Sequence, residues 1–143
     1  MDLRGRCHCG NIAFELTIEP DPVTIPARAC SCSFCLKHGG VWTSSPLGVL
    51  RVAIKDPARV SRYNFGTRTA DFHVCVTCGV VPVVTSRIDE RDYAVVSVNA
   101  LENVPASMLD RAVSSFDGEG TDERLARRAR NWIADVQFID GRS

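Results

Sequence analysis

Ile12, Phe14, Leu16 and Ile18 alternate with Ala13, Glu15 and Thr17, a period of two that puts the large apolar side chains on one face of a strand. Pro20-Asp21-Pro22 ends that strand, because proline fixes φ and removes a backbone donor. Residues 23–29 then read as an extended run leading into a cysteine-rich loop at 30–35. Further strands are predicted over 49–54, 60–65, 80–85 and 93–98, where β-branched and aromatic residues gather between Pro, Gly and Asp.

The period changes after Gly118-Glu119-Gly120. Leu125, Ala129, Trp132, Ile133 and Val136 recur at helical spacing, which predicts one amphipathic helix over 122–138. Thr121 is placed to cap it, and Asp122 and Glu123 suit its positive N-terminal end. On this pattern Arg124, Arg127, Arg128 and Arg130 form the solvated face, while Trp132 joins Leu125 and Ile133 in the core. Ala106 to Asp110 add a short helical turn after Pro105. The expected fold is all-β with one C-terminal α-helix. It forms a single domain over 1–143, since 143 residues suffice for one core and not for two ordinary domains.

Lys plus Arg and Asp plus Glu balance at 17 each, so no long-range positive field recruits nucleic acid or an anionic membrane. The opening residues lack the apolar stretch of a secretory signal, and nowhere do about 18 apolar residues run together. The expectation is a cytoplasmic protein that binds neither nucleic acid nor membrane, with its oligomeric state open.

Seven cysteines change the picture most. An odd number cannot close entirely into internal disulfides, and the cytosol keeps thiols reduced. Metal ligation is the better account, with a secreted chain of three disulfides and one free thiol as the rival. Cys75-Val76-Thr77-Cys78-Gly79 is a Cys-x-x-Cys knuckle whose glycine permits a tight turn. If Cys7-His8-Cys9-Gly10 supplies two more thiolates, the result is a closed tetrahedral site, structural in character. Cys30-Ser31-Cys32-Ser33-Phe34-Cys35 offers three thiolates and no fourth cysteine. Three protein ligands leave a coordination position for water or substrate, as a catalytic zinc requires.

Against that open site stands His38, three residues past Cys35, which could close it as a fourth ligand. His8 and His73 fit hydrogen-bonding or exposed positions better than ligation. Lys37, also just beyond Cys35, could meet a substrate carboxylate or a developing negative charge and is a candidate catalytic residue with the three thiols. Trp42, Tyr63 and Phe65 are candidate neighbours of the site. A dithiol redox role for Cys75 and Cys78 is disfavoured because the knuckle lies among strand-like residues rather than opening a helix.

The order Gly5-x-Cys7-x-Cys9-Gly10, then Cys30-x-Cys32-x-x-Cys35 with Lys37 and Gly39, then Phe72 before Cys75-x-x-Cys78-Gly79 resembles the family of the glutathione-dependent formaldehyde-activating enzyme, which also includes the centromere protein V domain. The resemblance takes in Tyr63, Arg68 and Val98-Asn99-Ala100-Leu101, roughly residues 4 to 101, and leaves out the C-terminal helix. It implies small coiled antiparallel sheets, a structural zinc on Cys7, Cys9, Cys75 and Cys78, and a second zinc at the active site on Cys30, Cys32 and Cys35. The implied activity joins glutathione to formaldehyde, giving S-hydroxymethylglutathione, and is classed as a carbon-sulfur lyase. The chain departs from the family pattern at Ser31, often His, at Leu36, often basic, and at His73-Val74, which separate Phe72 from the knuckle. The alternatives are a non-enzymatic zinc-stabilised binding module and a thiol redox sensor.

Overall fold

The computed structural model describes residues 1–140, arranged as two sheets and two helices. The first sheet has the order β1 (Asp2–Arg6), β2 (Ile12–Thr17), β5 (Val49–Ile54) and β11 (Asp135–Asp140). The second runs β10 (Leu109–Ser114), β3 (Ile25–Cys30), β4 (Val41–Thr43), β9 (Arg91–Ser97), β8 (Val83–Ile88), β7 (Asp71–Cys75) and β6 (Val60–Tyr63). The helices are α1 (Ser33–His38) and α2 (Thr121–Asn131). The fold is mostly β with one main helix, as the patterning predicts. Two edge strands add parallel pairings that the expectation did not include, β10 beside β3 and β11 beside β5.

Alternation decides which way each strand faces. β1 and β2 bury every second residue. Leu3, Phe14 and Leu16 thereby pack with Leu50 and Val52 of β5 against Val83, Ala94 and Val96 of the second sheet. Val84 and Val95, the chain neighbours of Val83 and Val96, face the opposite way and build a second buried cluster with Cys35, Trp42 and Phe72. The middle of the seven-stranded sheet is therefore buried on both faces, and the second face carries the site described below. Gly5 fits between the two layers because a Cβ there would lie 2.4 Å from the Phe14 ring and 2.7 Å from the Ala100 carbonyl oxygen.

The predicted helix over 122–138 stops at Asn131. Ile133 instead exchanges backbone hydrogen bonds of 2.9 and 3.0 Å with Ala94, and Val136 lies in β11 opposite Leu50. The chain pairs along the free edge of β5 over 135–140, and Ile133 is fully buried. Thr121 is the first helical residue rather than the cap: Gly120 occupies that position, and no side chain caps the helix. The loop expected at 30–35 is the end of β3 followed by α1, whose N-cap is Cys32. At 106–110 only Ala106–Met108 form a turn, and Leu109 already belongs to β10. No helix among the described residues is long and apolar enough to cross a membrane.

Candidate metal centres and an adjoining cavity

Cys7 follows β1 and Cys9 sits in the turn before β2, while Cys75 ends β7 and Cys78 follows in the next turn. Strand pairing thus delivers residues far apart in sequence to one point. The four sulfurs all lie within 4.8 Å of one another, with Cys7 to Cys9 at 3.8 Å and Cys9 to Cys75 at 3.5 Å. An ion about 2.3 Å from each of four tetrahedral sulfurs separates them by about 3.8 Å, so this group could hold a thiophilic metal ion. The knuckle closes through a 2.7 Å bond from the Gly79 N–H to the Cys75 carbonyl, with Gly79 at φ +79° where a side chain would be strained.

Electrostatics around these thiols are uneven. Burial pushes Cys7 up to about 11, although the Ile12 N–H donates to its sulfur at 3.3 Å. Burial also opposes ionisation of Cys78, yet backbone N–H groups of Cys9 and Val80 bring it down to about 6. A bound cation removes this disparity by stabilising every thiolate at once.

Cys30, Cys32 and Cys35 likewise place their sulfurs within 4.8 Å of one another, and no other metal-binding side chain among the described residues joins them. The Cys32 sulfur caps α1 by accepting from the Cys35 N–H at 3.4 Å. The Trp42 indole N–H donates to the Cys35 sulfur at 3.4 Å. Gly40 makes that contact possible, since a Cβ there would lie 2.9 Å from the indole nitrogen and 3.1 Å from the sulfur. Asn99 latches the end of α1 with a 3.0 Å bond to the Gly39 carbonyl. A hydrogen bond with Cys35 holds the Cys30 thiol down to about 5, helped by Cys32 and the Arg127 charge, while that same bond and burial push Cys35 up.

The other sequence candidates lie elsewhere. His38 is exposed and stacks on Phe34 with ring centres 5.3 Å apart, so the structure does not bring it to the trio as a fourth ligand. Lys37 is exposed on α1 and does not line the cavity beside the thiols, so its expected place at the site is not found. His8 is exposed. His73 is buried with its Nε2 2.8 Å from Thr85 Oγ1, and burial lowers its pKa to about 4.

The three thiols form one wall of a cavity of about 480 Å³. Trp42, Phe65, Phe72, Phe116 and Trp132 supply aromatic surface, and Arg28, Arg124, Arg127 and Arg128 supply positive charge. Tyr63 lies outside, stacked near Phe34 and Phe65. The solvated face expected on α2 is therefore corrected: Arg130 is exposed as predicted, but the other three arginines turn to the cavity. Arg124 and Arg127 meet Glu119 at 3.2 and 2.9 Å, and Arg128 is only 7% exposed. Trp132 lines the cavity, Ala129 is exposed, and of the expected stripe only Ile133 is fully buried. A polar partner set explains the reversal, since Arg128 donates to Thr69 Oγ1 at 2.8 Å and to Ser86 Oγ at 3.1 Å. No periodicity in the sequence reveals such partners, which come from β8 and the segment before β7.

Four converging thiols between two sheets and three more beside a cavity define a β protein with two candidate metal centres. The family model described as glutathione-dependent formaldehyde-activating enzyme matches residues 2–116, and the chain belongs to this family. It is also similar to a Rhodobacter sphaeroides protein of known crystal structure, with 34% identity and a TM-score of 0.56 over 73% of this chain and 92% of that one. All seven cysteines lie inside the residues matched by the family model, whereas Glu119 and the whole of α2 lie beyond them.

Proposed function

We propose that the protein is a zinc-dependent enzyme of the carbon-sulfur lyase type that joins a small thiol to an aldehyde, glutathione and formaldehyde being the pair its family is named for. The single observation that carries this reading is a three-thiol cluster, with no fourth ligand among the described residues, lining a cavity. Zinc on Cys30, Cys32 and Cys35 would supply Lewis acidity at its open coordination position. The four-thiol group would hold a second zinc as a structural staple.

In the reaction the thiol loses its proton, its sulfur attacks the carbonyl carbon, and the carbon-oxygen π bond opens as the carbon-sulfur bond forms. The carbonyl oxygen ends as a hydroxyl after taking up one proton, so the addition is balanced without oxidant or reductant. The chain's own residues orient and enclose. Trp42 fixes the Cys35 sulfur through its indole N–H, as groups behind a metal ligand do. The aromatic walls limit the solvent around a bound substrate, which strengthens electrostatic effects at the thiols.

The test is consumption of formaldehyde in the presence of glutathione, followed with zinc-loaded wild type and with Cys32→Ala. Faster consumption than in buffer, lost in the variant together with one of two zinc ions per chain, is the expected result. Two tightly held zinc ions with no effect on the aldehyde would replace the enzyme by a zinc-stabilised binding module.

A further inference from the structure

The positive wall of the cavity takes no part in the chemistry proposed above. Arg128 is buried, and among the described residues no carboxylate pairs with it. Its two hydrogen bonds are to hydroxyls, its Nε has no hydrogen-bond partner among the described residues, and its guanidinium lies 5.0 Å from the centre of the Trp132 ring. Arg28 is half-buried and likewise pairs with no carboxylate among the described residues: its guanidinium donates to Ser44 Oγ at 3.2 Å, and that hydroxyl donates on to the Asn131 carbonyl at 2.8 Å, tying β3 to the end of α2. Arg127 is held rigidly, by paired bonds of 2.9 and 3.1 Å to Glu119 and by lying 3.6 Å above the Phe116 ring.

Among the described residues, four guanidiniums thus line the cavity with only two carboxylates, Asp117 and Glu119, and Glu119 is taken up by Arg124 and Arg127. A guanidinium withdrawn from water without a counter-ion is unfavourable unless something else supplies the charge. Burial and the neighbouring arginines lower Arg128 to about 10, which leaves it cationic at neutral pH. The cavity volume of about 480 Å³ suits a small molecule as the source of the compensating charge.

We propose that this wall binds a carboxylate of the substrate, so that the site takes anionic thiols and their aldehyde adducts, with Arg128 and Arg28 determining specificity and Arg127 helping to shape the wall. The substrate class rests on the function proposed above, because the same cavity holds the three thiols. The wall is built largely from α2, outside the residues that the family model matches, so it rests on the structure of this chain and not on the family match. Arginine suits the task because its planar fork matches a carboxylate with two parallel hydrogen bonds.

The test is calorimetric titration of the zinc-loaded protein with mercaptoacetate and mercaptoacetamide, thiols that differ only in the carboxylate. Mercaptoacetate is expected to bind wild type about tenfold more tightly or better, and the ratio is expected to fall toward one in Arg128→Gln and Arg128→Met. Comparing ratios between proteins cancels the chemistry of the thiols themselves. Arg128→Met also carries a stability readout: its melting temperature should hold or rise while the ratio collapses, a combination that a merely structural arginine would not give. If that variant fails to fold, the ratio in Arg28→Gln decides in its place. Equal binding of the two thiols to wild type, or a ratio unmoved in the variants, overturns the proposal. Displacement of mercaptoacetate by inorganic phosphate and not by succinate overturns the carboxylate assignment. Binding is read without turnover, so absent aldehyde chemistry would sink the proposed function and leave this site standing, while intact turnover with an indifferent ratio would do the reverse.

Discussion

The two cysteine clusters use the same ligand atom, with sulfurs within 4.8 Å of one another in each, and differ in what surrounds them. One joins the start of the chain to its middle, has four thiols, and keeps Cys7 and Cys75 fully buried under the core. The other gathers three thiols from within six residues at the turn from β3 into α1, and opens onto a cavity. Removing the first would cut the tie between the turn joining β1 to β2 and the end of β7. Removing the second would leave every strand pairing intact. Ligand number and topology, rather than ligand type, separate a staple from a reactive centre.

That difference sets an order of effects. Cys75→Ser should be the most damaging change, because a structural zinc site contributes binding free energy on the order of 10 kcal/mol that is also folding free energy; loss of cooperative unfolding by circular dichroism would show it. Cys32→Ala should keep the fold, losing about 1–2 kcal/mol with the α1 cap, while one zinc per chain and the thiol-aldehyde activity disappear. Equal unfolding by the two variants would erase the distinction between the clusters. Trp42→Phe removes the donor to Cys35 and leaves ring volume largely in place, so zinc affinity at the three-thiol site should fall about tenfold with the four-thiol site untouched, as competition with a chelator can measure. Arg130→Ala should change stability by less than about 0.5 kcal/mol in thermal unfolding, against the consequences expected at Arg128 two residues earlier.

The cysteines were the most legible part of the sequence. Their spacing is local, and the grouping into four and three that the resemblance implied is the one the structure assembles. β2 was legible because one face is buried, giving the alternation of a half-buried strand, and β5 because β-branched residues gather in it. β10 was not: it is an edge strand with most of its residues exposed, held by parallel pairing to β3, and neither fact leaves a period in the sequence. The end of α2 was misjudged for a related reason. Leu125, Ala129, Trp132, Ile133 and Val136 fit a helix, but Val136 is claimed by Leu50, some eighty residues away in sequence, through β11 and β5.

The cavity was the least legible feature. Trp42 and Phe65 are near the cysteines in sequence, but Phe116 reaches the site from the end of β10, beside β3, and the arginines of α2 reach it through the packing of α2 on β8. Arginine on a short helix reads as surface by default. Its burial here depends on Thr69 and Ser86, hydroxyls that no spacing rule connects to residue 128.

Cadmium NMR of the metal-substituted protein tests the contrast between the clusters most directly. The expected spectrum has two resonances, only one of which moves when glutathione is added, and that one is absent from Cys32→Ala. Two resonances indifferent to the thiol, or the loss of both in Cys32→Ala, would contradict a closed staple beside an open reactive centre.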